Sequence, residues 1–205
     1  MKKVGLNLSA VLITMVIISC GYSGSKVITI GNQEWMIQNL NVDKFRNGDA
    51  IQEAKTAEQW TKAGENGQPA WCYYDNDPAN GKTYGKLYNW FAINDPRGLA
   101  PEGFHIPSDA EWTILEEYLG QDAGKKMKST SAWNGTNSIG FSAIPGGSRT
   151  NYGIFYNIGY FGLWWSSSEL DTYDAWFRFL NFSNSYLVRY DFNKTNGFSV
   201  RCIKD

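Results

Sequence analysis

The sequence predicts an α+β domain, and three observations carry that reading. Short β-branched and aromatic runs, set between turn residues, recur along most of the chain. Helical capping and periodicity are clear in one segment and present in a shorter second one. Strand and helix signals do not alternate, which excludes a Rossmann-type parallel sheet.

The elements follow in order. Residues 27–30, then Gly31-Asn32, then residues 33–37 read as a β-hairpin. Thr56 and Gln59 make a capping box in front of a short helix with Trp60 just inside. Residues 63–69 are a glycine-rich loop, residues 70–74 a strand, and residues 75–81 a polar turn cluster. Residues 87–91 are apolar with no decisive period. The clearest helix begins at Ser108, which forms a capping box with Glu111. Trp112, Leu115 and Leu119 share its inner face, with Ile114 and Tyr118 beside them, and Gly120 ends it. Glycine-rich loops follow, with strands expected at 163–167, 175–180, 186–190 and 197–203.

The N-terminus reads as a targeting segment. Lys2 and Lys3 precede an uncharged, largely apolar run that ends at Ser19-Cys20-Gly21. A charged start, a short apolar stretch and small residues at the cut are the features of a secretory leader. The run is short for a membrane span, which needs ~20 residues. Ile17-Ile18-Ser19-Cys20 looks like a lipobox, the acylation site of bacterial lipoproteins. The expected organisation is a leader over residues 1–19, a lipidated tether over 20–26 with the acyl chains on Cys20, and one domain over 27–205. The expected location is the cell envelope, on the outer membrane, because Gly21-Tyr22 offers no aspartate next to Cys20.

Nineteen basic residues face 20 acidic ones, and no run of like charge occurs, which argues against a nucleic-acid partner. Aromatics make up 16% of the chain, with nine Trp, enough to build a dense core under irregular loops or to line a sugar site. Cys72 and Cys202 remain after lipidation, and in an oxidising compartment they form a candidate disulfide.

Five ordered segments resemble a known family. They are Tyr84-Gly85-x-Leu87-Tyr88-Asn89-Trp90, the stretch from Leu99 through His105-Ile106-Pro107-Ser108 to Trp112, Phe141-Ser142-Ala143-Ile144-Pro145-Gly146-Gly147, Trp164-Trp165-Ser166-Ser167-Ser168, and Ser199-Val200-Arg201-Cys202-Ile203-Lys204-Asp205. The chain resembles the Fibrobacter succinogenes major paralogous domain over about residues 27–205. That family is distantly similar to the formylglycine-generating sulfatase-modifying group, and the resemblance implies a C-type-lectin-like fold in which the two chain ends pair as strands. It brings no established activity. The relative's oxidase chemistry uses a neighbouring pair of late cysteines, whereas Cys72 and Cys202 stand 130 residues apart.

Other chemistries lack parts. The single histidine, His105, leaves a zinc site short of ligands and reads as structural. Ser166, Ser167 and Ser168 sit in no nucleophile elbow. Asp75 starts an EF-hand-like run, but its twelfth position is Lys86 instead of glutamate. Asp171 and Asp174 are the residues a lectin-like calcium site would use; capping of an exposed loop is the simpler role for them. Adjacent Glu116 and Glu117 point to different sides of a helix, which does not suit glycoside hydrolysis. No metal and no cofactor is therefore expected.

The functional expectation is a non-catalytic binding or adhesion module; the sequence names no ligand, and a glycan or a protein is the candidate. A structural envelope component with protein-contacting loops is the alternative, and an enzyme ranks third. The binding surface is expected among residues 146–174, on Arg149, Tyr152, Tyr156 and Trp164, with Trp165 turned inward. The competing reading places those rings in the core beneath the loops.

Overall fold

The computed structural model describes residues 26–205. The leader, Cys20 and most of the tether lie outside the described residues. The domain is α+β, built from short strands, mostly antiparallel, and five short helices.

Strands β1 (Val27–Ile30) and β2 (Gln33–Met36) form the expected hairpin, and Gly31 supplies the positive φ of 62° that its turn requires. β3 (Gln52–Glu53) is followed by helix α1 (Ala57–Glu65), whose capping box at Thr56 and Gln59 is formed as expected. Next come β4 (Ala70–Cys72), α2 (Pro78–Tyr84), β5 (Leu87–Tyr88), α3 (Trp90–Ile93) and β6 (Phe104–His105). Helix α4 (Asp109–Leu119) starts on the Ser108–Glu111 box and ends at Gly120, where φ is 62°. Trp112, Leu115 and Leu119 are buried on it, while Ile114 and Tyr118 face solvent. After α5 (Ala123–Met127) come β7 (Ser148–Arg149), β8 (Phe155–Tyr156), β9 (Phe161–Glu169), β10 (Asp174–Asn181), β11 (Val188–Asn193) and β12 (Ile203–Lys204).

The strands form four small sheets, ordered β1-β2-β12-β6, β11-β10-β9, β3-β4-β5 and β7-β8. The pairing of β2 with β12 (Trp35 opposite Ile203) ties the beginning of the domain to its end. β9 organises the interior. Leu163 and Trp165 enter one core cluster, with Phe177, Phe198 and Val200. Trp164, from the other face of the strand, enters a second cluster with Trp35, Trp112 and Phe141. Side chains alternate across a strand, so a strand buried on both faces joins two cores.

Three expectations are corrected. Residues 75–81 are not simply a turn: a 3₁₀ turn at Tyr74–Asn76 leads into α2, which Asp77 caps by accepting a hydrogen bond from the Ala79 amide, with Pro78 at its first position. Asp-Pro supplies both the cap and a preset φ, which outweighs the turn-forming residues that follow. Residues 197–203 form no single strand. Gly197 bridges Arg149, Phe198 bridges Tyr88 and Ser199 bridges Trp164, so this segment crosses several sheets and pairs with a different partner in each. The Cys72–Cys202 bridge is not formed. Both are buried free thiols, and they belong to different core clusters, Cys72 with Trp60 and Tyr74 and Cys202 with Phe198 and Val200. Burial pushes each thiol up to about 12.

Candidate functional site

The segment expected to bind ligand divides by burial. Arg149 and Trp164 are both 0% exposed, whereas Tyr152 is 70% and Tyr156 49% exposed. Arg149 and Trp164 are thus corrected from ligand-binding to interior residues.

Arg149 is the brace of the β7–β8 hairpin. Its Nη1 donates to the Ala54 carbonyl at 2.6 Å and its Nε to the Gly153 carbonyl at 3.2 Å. Its guanidinium lies 4.9 Å from the Trp60 ring centroid and 4.7 Å from that of Phe155, which adds cation–π attraction on both sides. The Arg149 backbone exchanges hydrogen bonds with Gly197 at 2.7 and 2.9 Å. Gly197 must be glycine here, since a Cβ would stand 2.8 Å from the Trp60 ring. The tip is fixed as well. Thr61 Oγ1 donates to the Asn151 carbonyl, and the Asn151 amide donates to Asn196 Oδ1.

Across the turn and into β8 the exposure alternates: Gly153 is buried and Phe155 half-buried, while Tyr152, Ile154 and Tyr156 are exposed. Ile154 is 52% exposed. Two phenol rings and one aliphatic side chain thus stand exposed along a hairpin whose backbone is held at its base and tip, with exposed Tyr160 a few residues further on. Ile154 was not anticipated from the sequence; its signal was the period-2 pattern from Tyr152 to Tyr156.

Trp164 instead belongs to a buried hub around Asn39. Trp164 Nε1 donates to Asn39 Oδ1 at 2.9 Å, and Arg201 donates to the same oxygen at 3.0 and 3.3 Å. Arg201 Nη1 also donates to the carbonyls of Met36 and Phe141 at 3.0 and 2.8 Å. Burial lowers the Arg201 pKa to about 9. Four of the five segments that carry the family resemblance meet at this hub, through Tyr84, Phe141, Trp164 and Arg201.

A second polar cluster borders an open cavity of about 620 Å³ that includes Arg46, His105, Ser108, Glu111 and Ser167. His105 Nδ1 lies 2.8 Å from Asp205 Oδ1 and its Nε2 lies 2.8 Å from Glu111 Oε1. Carboxylates only accept, so satisfying both takes the imidazolium. Burial, the largest single influence, pulls the His105 pKa down; the bonds to Glu111 and Asp205 outweigh it and hold it above its ordinary value. Glu111 Oε2 meanwhile accepts from the Ser108 amide and hydroxyl, both at 2.8 Å. The Ser108 hydroxyl therefore turns to a carboxylate and away from the imidazole, which is not the arrangement of an activated nucleophile. The cluster ties β6, the start of α4 and the C-terminal residue together, in keeping with a structural His105.

Asp171 caps its own loop, accepting from the amides of Tyr173 at 2.7 Å and Asp174 at 2.9 Å. Among the described residues no group of three or more His, Cys, Asp or Glu side chains is placed to hold a metal ion. No described helix is long and apolar enough to cross a membrane.

No curated protein and no solved structure was found to match the chain. A family model does match, over residues 28–204, which is nearly the whole domain. The chain belongs to the Fibrobacter succinogenes major domain family.

Proposed function

We propose that the protein is a non-catalytic binding module of the cell envelope, anchored through lipidated Cys20, and that it holds carbohydrate on the ridge of Tyr152, Ile154 and Tyr156. The observation that carries this reading is the contrast within one hairpin: a fully buried arginine braces it, and large rings stand outside it. Exposed tyrosines present a flat apolar face and a hydroxyl, which suits the faces and edges of a sugar ring. A rigid backbone lowers the ordering cost of binding. The scaffold is read as C-type-lectin-like; the β2–β12 pairing of the two ends of the domain supports that reading.

A glycan array probed with the full chain tests the ligand class. Retention on at least one glycan, abolished in a Tyr152→Ala, Tyr156→Ala double variant that stays folded, is expected. Equal retention by the double variant, or retention on no glycan, overturns the proposal. The anchor is tested separately with a palmitate analogue. The wild type should incorporate label and Cys20→Ala should not.

A further inference from the structure

The three-stranded sheet ends in β11, an edge strand with no neighbour on its outer side among the described residues. Which of its backbone groups face outward follows from the ladder. The Lys194 amide donates to the Tyr173 carbonyl, so the bonded pairs with β10 continue at Phe192–Ala175, Tyr190–Phe177 and Val188–Phe179. The amides and carbonyls of Arg189 and Asp191 then point away from the sheet. Tyr190 and Phe192 are 58% and 50% exposed, so the strand is uncovered on that face as well.

An uncovered edge invites another strand, and charged residues ordinarily prevent this. Here the charges are arranged to admit one partner. Antiparallel self-pairing must bring outward-facing residues opposite one another. Asn193, the next outward residue, has its carbonyl taken by the Asn196 amide and side chain, which leaves three short registers through Arg189 and Asp191. One centres on Arg189 and opposes two arginines; one centres on Asp191 and opposes two aspartates. The third centres on Tyr190. It sets Arg189 against Asp191 of the second copy twice, Tyr190 against Tyr190, and Val188 against Phe192 twice. Like charges directly opposite destabilise a pair of strands, and opposite charges or aromatic pairs stabilise it. Asp191 forms no ion pair within the described residues, while Arg189 is held at one end by Asp109 and lies over the Trp176 ring. The arginine is thus pre-positioned, and a carboxylate beside it stands without a cation.

We infer that β11 is a self-pairing edge, through which two copies of this chain join antiparallel about Tyr190 and merge their three-stranded sheets into one. The partner is a second copy because the strand's own sequence, reversed, answers its charge order in this register.

Sedimentation of the full chain in detergent solution tests this by mass. Wild type is expected as a dimer, and Arg189→Asp and Asp191→Arg, each alone, as monomers. Mixing the two variants in equal amounts should restore the dimer, since their strands are then complementary at every charged position. Asp191→Arg leaves the Arg189–Asp109 contact in place, so it decides alone if Arg189→Asp fails to fold. Cysteine substitution reads the register. Residues opposite one another in a non-hydrogen-bonded pair have Cα atoms ~4.5 Å apart, within disulfide reach. Tyr190→Cys should therefore crosslink to itself on oxidation, and Val188→Cys, which faces residue 192, should not. A monomeric wild type, an Asp191→Arg dimer as stable as wild type, a mixture that stays monomeric, or Val188→Cys crosslinking as well as Tyr190→Cys would each overturn the inference.

Discussion

The Asn39 hub and the β7–β8 hairpin use the same materials to opposite ends. Each has a fully buried arginine donating to backbone carbonyls, and each packs that guanidinium against aromatic rings. At the hub every ring is interior. At the hairpin the inward ring, Phe155, covers the arginine, while Tyr152 and Tyr156 face solvent. The difference teaches that arginine and aromatic content do not mark a binding surface here. Both regions are irregular backbone with carbonyls to satisfy, and buried cations do so. The surface with chemical reach is the alternate set of side chains left over once the brace is built.

Removal of the hub arginine has the largest expected effect. Arg201→Ala leaves Asn39 Oδ1 and the carbonyls of Met36 and Phe141 without this donor. A buried acceptor left unpaired costs roughly 1–3 kcal/mol, so denaturant unfolding should report a loss of about 4 kcal/mol or an unfolded chain. A loss under about 1 kcal/mol would mean that water replaces the guanidinium without penalty. Arg149→Ala comes next, at roughly 2–4 kcal/mol, with faster amide exchange confined to residues 148–156. Arg149→Lys should recover little of it, because an ammonium cannot reproduce the planar contact with Trp60 and Phe155.

His105 has a smaller and pH-dependent share. Its folded pKa lies above the ordinary 6.5, so its contribution is fully present below the unfolded value and is lost as pH rises through the folded one. Glu111, held below its ordinary value against the opposing effect of burial by bonds from Ser108 and His105, contributes above its unfolded pKa and fails as pH falls through the folded one. The gap in unfolding midpoint between wild type and His105→Gln should therefore narrow as pH rises. A gap independent of pH would contradict the imidazolium bridge. The chain has one histidine, so its imidazole signals can be assigned without ambiguity and its pKa followed directly.

Much of the scaffold was legible in the chain. The hairpin over Gly31, both capping boxes, the inner face of α4 and strands β9 and β10 all follow from local chemistry, which acts over a few residues. What was not legible depends on partners distant in sequence. Trp164 looks like a surface candidate until a second core behind β9 encloses it. Arg149 looks like an anion donor until Ala54, 95 residues away, takes its hydrogen bond. Cys72 and Cys202 suit a bridge until packing buries them in separate clusters. The ridge was half legible, because Tyr152 and Tyr156 stand two turns of a period-2 pattern apart and Ile154 falls between them.

The smallest expected change in stability, and the most direct test of the central claim, belongs to the Tyr152→Ala, Tyr156→Ala double variant measured for unfolding and for glycan retention on the same preparation. Exposed side chains away from the brace should change stability by no more than about 0.5 kcal/mol each. The account predicts an almost unchanged unfolding midpoint and lost retention. Retention that survives, or that declines only in proportion to a fall in the midpoint, would contradict it and return the two tyrosines to the packing of the hairpin.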